Sequence, residues 1–181
     1  MGNKIYDFTN ISITGRFAYA AMCAERYALA KYPEKDWKPL FTWMWKATEN
    51  YFDEWYYRFM EILPEYLYEF DNYKDASFDY LSEKDYNYYA KFLKDIDNNM
   101  EELLVIPADI TMVYCYTAIP GKGKESIDLV NKAIKILEDN IIVPPDPREV
   151  EFTSFDEKNG WGEHFDGTKL SIVLNSNQHQ L

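Results

Sequence analysis

Apolar residues recur along most of this chain three and four positions apart, the spacing that gathers them on one side of a helix. The first such stretch, "ITGRFAYAAMCAERYALAKY", starts at Ser12 or Thr14 and runs to Tyr32, with alanines at 18, 20, 21, 24, 28 and 30 pointing all around the axis. Alanine on every face lets neighbouring backbones approach closely, so the pattern predicts a central helix. Pro33 and the charged "PEKD" end it.

The next stretch is dense in rings. On a helical wheel at roughly 100° per residue, Phe41, Trp45, Phe52, Trp55, Phe59, Ile62 and Leu63 share one side, with Met44 and Tyr51 at its margin. Lys46, Asn50, Asp53, Glu54, Arg58 and Glu61 form the opposite face, as a half-buried helix requires. Trp43 and Tyr57 lie among the charges, outside the core stripe, and are candidates for contact with a partner.

Pro64 breaks the pattern, and "PEYLYEFDNYKDASFDY" reads as a short helix followed by a loop. Ser82 with Asp85 three residues on resembles a helix start. The helix it opens carries Tyr86, Tyr89, Leu93, Ile96, Met100 and Leu103 at helical spacing. After Pro107, "ADITMVYCYTAI" predicts a buried helix, and "GKGKES" a turn into a last stripe of Ile127, Val130, Ile134 and Leu137. "VPPDP" closes the helical part; beyond it "REVEFTSF" and "TKLSIVL" alternate weakly and predict a hairpin around "DEKNGWGEHFDG". The expected fold is mainly α: a single-domain helical bundle over residues 1–181, with a helical core at about 12–140 and an irregular or β-hairpin C-terminal appendage at about 146–181.

A chain of 181 residues is long enough to bury about 70% of its unfolded surface without a metal or disulfide. Its aromatic content is high, 18% with 16 tyrosines, and such rings suit either a rigid core or a recognition surface. Acidic residues outnumber basic ones 31 to 19, giving a formal charge of −12. A phosphate backbone is repelled by that balance, so nucleic acid is excluded as a partner and a basic protein is favoured. Cys23 and Cys115 sit in apolar surroundings far apart in sequence, which predicts buried reduced thiols. "MGNKIYDFTN" has no signal-peptide pattern, Tyr6 stands where a myristoylation motif needs Ser or Thr, and no apolar run is long enough for a bilayer. The expectation is a cytoplasmic protein without membrane contact.

The charge is concentrated. From Glu61 to Glu102 there are twelve acidic residues against four lysines, with seven tyrosines among them. A solvated face needs the charges but not the rings, whereas a surface for a basic protein uses both, rings as anchors and charges to steer encounter. Asp71, Tyr73, Asp75, Asp79 and Tyr80 are the candidates for that role; tyrosines that merely tile the core and show their hydroxyls to water are the competing reading. "GKGKES" lacks P-loop spacing. Glu163, His164 and Asp166 fall in one turn-rich loop, but the only other histidine, His179, lies in a polar tail, so no metal, cofactor or catalytic residue is assigned. A carboxylate-based metal-dependent hydrolase or transferase near His164 is the alternative to a binding protein. Trp161 is expected to anchor this loop in the core, with Gly160 and Gly162 supplying its backbone angles. Arg16, Glu25 and Arg26 interrupt the alanine helix; charges there need an ion pair or hydrogen bonds to neighbouring loops.

"GRFAYAAMCAERYA", the tryptophan-rich region from Trp37 to Trp55, and "GWGEHFDG" together resemble the mostly helical immunity proteins found beside bacterial polymorphic toxins. The resemblance implies a non-enzymatic protein that binds and neutralises one cognate toxin domain in the producer's cytoplasm. It marks Arg16, Arg26, Trp45 and Trp55 as the matching positions. The wheel puts both tryptophans in the core, where they fix the fold.

Overall fold

The computed structural model describes residues 6–49 and 52–176, so Asn50, Tyr51 and His179, named above, lie outside the described residues. Helix α1 (Ile13–Lys31) begins where the Ser12 hydroxyl accepts the N–H of Gly15 at 3.1 Å. Every residue from Ile13 to Glu25 is buried, as alanine on all faces predicts. Against α1 pack α6 (Asn98–Met112) and α7 (Lys124–Asp139), which also pack on each other. Helix α2 (Lys38–Trp45) crosses near α1, α3 (Phe52–Met60) lies on α6, and α4 (Pro64–Leu67) meets α5 (Glu83–Leu93). The buried apolar residues form one cluster, and among the described residues no helix is long and apolar enough to cross a membrane.

The ring-rich stretch is not one helix. A 3₁₀ turn at Lys46–Thr48 separates α2 from α3, and α3 ends at Met60. The break leaves the stripe intact: Phe41, Trp45, Trp55, Phe59, Ile62 and Leu63 are buried, while Phe52 is half-buried. Trp55 stacks on Phe59 with centroids 4.7 Å apart, meets Phe17 of α1 edge-on, and donates its indole N–H to the Trp43 carbonyl at 2.8 Å.

The helix expected from Tyr86 to Leu103 is also two. The first ends at Leu93, and Asp97 caps the second: its carboxylate accepts the Met100 N–H at 2.9 Å and the Tyr27 hydroxyl at 2.8 Å. Pro107 sits inside α6 rather than before a new helix. The missing N–H costs one intrahelical bond, which the fully buried packing of Leu103, Leu104 and Ile110 outweighs.

No hairpin forms; among the described residues there is no strand. Segment 146–176 is a chain of 3₁₀ turns ending in α8 (Ile172–Asn175). Among the described residues, most of the bonds its N–H groups make to backbone carbonyls close its own turns instead of a strand ladder, and two reach the rest of the molecule: Phe155 donates to the Asn10 carbonyl and Phe165 to the Thr48 carbonyl, both at 2.9 Å. In return, Thr14 donates both its N–H (3.0 Å) and its hydroxyl (2.7 Å) to the Trp161 carbonyl.

Two buried charges on α1 tie other segments to it, among them the starts of α7 and α8 and the end of α2. Arg16, fully buried, donates to the Phe8 carbonyl (2.9 and 3.2 Å), the Thr9 carbonyl (3.3 Å), the Gly123 carbonyl (3.0 Å) and the Ser126 hydroxyl (2.8 Å). Burial lowers its pKa to about 10, still charged at neutral pH. Glu25, also fully buried, accepts from the Trp45 indole at 2.7 Å, from the Ser171 hydroxyl, and from the N–H groups of Ile172 (2.7 Å) and Val173 (3.3 Å). Burial pushes its carboxyl above the ordinary range, and the four donors offset part of that shift. Neighbouring Arg26 is half-buried and reaches the Val143 carbonyl at 3.2 Å and Glu149 at 4.0 Å. Of the two resolutions expected for these charges, hydrogen bonds prevail: Arg16 bonds chiefly loop carbonyls, Glu25 the end of α2 and the start of α8, and Arg26 makes a weak ion pair.

Candidate interaction surface

The acidic segment resolves into an inward and an outward set of rings. Tyr86 and Tyr89 are buried. Tyr73 is half-buried, stacked on Phe78 at 5.8 Å, tilted against Tyr86 at 5.7 Å, and it donates its hydroxyl to the Leu81 carbonyl at 2.9 Å. Tyr73 is therefore a pillar inside the 70–82 loop as well as a partial surface residue. Tyr66, Tyr68, Phe70, Tyr80 and Tyr88 are exposed, as is Tyr57 of α3. The Tyr68 hydroxyl donates to the Ala90 carbonyl at 2.9 Å, which fastens an otherwise open ring to α5. Burial of that hydroxyl end moves its pKa up to about 12.

Four of the candidates lie on or near α3. The carboxylate of Glu61, just past the helix end, accepts three successive backbone N–H groups: Asp79 (2.7 Å), Tyr80 (2.9 Å) and Leu81 (2.7 Å). That clasp fixes the backbone from which Asp79 and Tyr80 project, both exposed. The Arg58 guanidinium lies 5.2 Å from the Tyr80 ring and pairs with Glu54 at 3.4 Å. Arg58 and Glu54 in turn line a groove of about 320 Å³ with Trp43, Lys46 and Glu49. Trp43 is half-buried with the Lys46 ammonium 4.2 Å from its ring, and Tyr57 stands exposed one residue before Arg58.

Asp71 and Asp75 are exposed at the far end of the 70–82 loop, where the Asn72 side chain bonds Asp75, beside a hollow of about 330 Å³ floored by Tyr73 and Tyr86. The structure thus divides the sequence candidates into an α3 group (Trp43, Tyr57, Asp79, Tyr80) and a loop group (Asp71, Tyr73, Asp75). Sequence reasoning passed over Glu61 and Arg58. Glu61 gave no signal, because a carboxylate that caps a distant loop reads like any other helix-face acid. Arg58 gave one: it is the lone arginine between Arg26 and Arg148 and sits at the edge of the acidic stretch.

His164 is exposed and lines a separate cleft of about 450 Å³ with Thr14, Phe52, Cys115, Trp161 and Glu163. Among the described residues no three His, Cys, Asp or Glu side chains are placed to hold a metal ion. Trp161 is half-buried at this cleft, packed on the core without entering it. Cys23 is buried, whereas Cys115 is half-exposed at the cleft, a departure from the expectation of two buried thiols. Comparison with protein-family models, with curated proteins and with solved structures returned no match.

Proposed function

We propose that this protein is a stoichiometric inhibitor of the immunity type. It binds a basic cognate toxin domain of a bacterial polymorphic-toxin system through its acidic, tyrosine-bearing face, in the cytoplasm of the producing cell, and catalyses nothing. The observation that carries this reading is the outward set of rings. Tyr57, Tyr66, Tyr68, Phe70, Tyr80 and Tyr88 are exposed on or beside a segment with twelve carboxylates and four lysines. Rings that only tiled the core would be turned in, and a face that only solvated the protein would lack them. Tyrosine anchors ringed by one sign of charge suit a partner of the opposite sign.

The reaction alternative, a metal-dependent hydrolase near His164, draws no comparable support, since no ligand cluster accompanies that residue among those described. Binding kinetics against the toxin domain encoded by a neighbouring gene test the proposal. Reversing Asp71, Asp75 and Asp79 to Lys should slow association at least about tenfold at low salt, with the loss shrinking as salt is added. A folded triple variant that associates as fast as the parent removes the acidic face from the interface.

A further inference from the structure

The cleft at His164 has a composition unlike that of the α3 face. Its lining includes the rings of Phe52 and Trp161, centroids 5.7 Å apart and tilted by 43°, and Tyr116, 83% exposed; Phe52 also packs on Phe17 at 5.7 Å. The rim also carries an ion pair, Lys158 to Glu163 at 3.4 Å, both side chains largely in water. The backbone around it is held in conformations that side chains resist: Tyr116 at φ 64°, Lys158 at 46° and Asn159 at 55°, with Gly162 at 82°. A Cβ at Gly162 would stand 2.3 Å from the Ser12 hydroxyl that caps α1, so the turn is pressed onto the helix start. Such outliers persist only where the surroundings fix them, and they concentrate at binding sites.

We infer that this cleft binds an alkylammonium group, with the cation against the rings of Phe52, Trp161 and Tyr116 and facing the Glu163 carboxylate. The negative faces of aromatic rings attract organic cations, and ring-lined hollows are a recurring way of holding them. Lys158 occupies the place beside Glu163 that the ligand's charge takes, so it acts as a resident competitor. Neither the acidic face nor a toxin partner enters this inference.

Choline is the probe, with its neutral isostere 3,3-dimethylbutan-1-ol and the anion benzoate as controls, followed by titration calorimetry and tryptophan fluorescence. Choline should bind at least about fivefold tighter than the isostere. Lys158→Ala should tighten choline binding by about two- to fivefold and Glu163→Gln should loosen it by a similar factor. Melting temperatures check that both exposed variants fold. A short peptide carrying trimethyllysine separates the two sources of the group: preference for the peptide assigns it to a protein partner, preference for choline to a free amine. The inference fails if the isostere matches choline, if benzoate binds more tightly, if Lys158→Ala weakens choline, or if neither choline nor the peptide binds below on the order of 50 mM.

Discussion

The surroundings of α1 and the acidic segment from Glu61 to Glu102 use charge and rings in opposite ways. Around α1 the charges are turned in: Arg16 and Glu25 are fully buried and every bond they make goes to a backbone group, a hydroxyl or an indole. The rings there are buried with them, Phe17, Tyr19 and Tyr27 among them. In the acidic segment most charges face water, and rings such as Tyr68 and Tyr80 face it too, on backbone secured from behind by the Tyr68 hydroxyl and the Glu61 carboxylate. A ring fixed in place before it meets a partner loses little freedom on binding. The contrast separates residues that make the fold from residues the fold presents.

Arg16→Met should be the most damaging single change on the α1 side. Methionine fills part of the space but takes the guanidinium donor from the carbonyls of Phe8, Thr9 and Gly123 and from the Ser126 hydroxyl, leaving Phe8 with the Ile11 N–H and Gly123 with the Ser126 hydroxyl and the Ile127 N–H. A loss of about 5 kcal/mol is expected, since several buried acceptors each lose a charged donor at about 1–3 kcal/mol apiece. Urea unfolding measures it. A loss below about 1 kcal/mol would mean that water replaces the guanidinium and that this region is not sealed.

Trp55→Ala comes next, at about 3–4 kcal/mol, since it removes ring area against Phe17 and Phe59 and strands the Trp43 carbonyl. This residue was legible in the sequence, as was the whole core stripe, because a period of 3.6 survives even where the helix carrying it breaks at Lys46–Thr48. The mainly α class was readable for the same local reason, as was the α1 start to within two residues, Ser12 or Thr14, of which Ser12 is the cap. The C-terminal segment was not. Val150, Phe155 and Val173 are buried one at a time by separate turns, so their weak alternation mimicked a strand. The bonds that decide the outcome, Glu25 to Ser171 and Thr48 to Phe165, join positions more than a hundred residues apart and leave no trace in spacing. The candidate surface was half legible: composition located the acidic segment, but not which tyrosines turn outward.

Glu25→Gln should cost about 2 kcal/mol at neutral pH, because the new amide NH₂ must face donors on one side of the site. The pH dependence sharpens the comparison with surface carboxylates. Burial raises the Glu25 pKa, so the folded protein holds this proton more tightly than the unfolded chain does. Its contribution is then fully present below the ordinary carboxylate value and declines as pH rises through the raised one. The stability gap between parent and variant should narrow over that window and level off above it. A gap that widens with pH would show that the four donors outweigh burial.

The smallest effects lie in the acidic segment, where a pair of changes divides its rings. Tyr73→Phe keeps the stack on Phe78 and loses one hydrogen bond to the Leu81 carbonyl, so it should cost about 1 kcal/mol. Tyr80→Ala removes an exposed ring that, among the described residues, stacks on nothing but the Arg58 guanidinium, so stability should change by no more than about 0.5 kcal/mol. Binding should reverse the order. If the proposed toxin partner docks on this face, loss of Tyr80 removes an anchor and should raise the dissociation rate, while Tyr73→Phe, its ring still in place, should leave dissociation close to that of the parent. Thermal unfolding and surface-plasmon dissociation traces on both variants read the two effects separately. If Tyr80→Ala destabilises the fold as much as Tyr73→Phe and leaves dissociation unchanged, the outward rings belong to the fold, and the segment resembles the α1 core in everything but exposure.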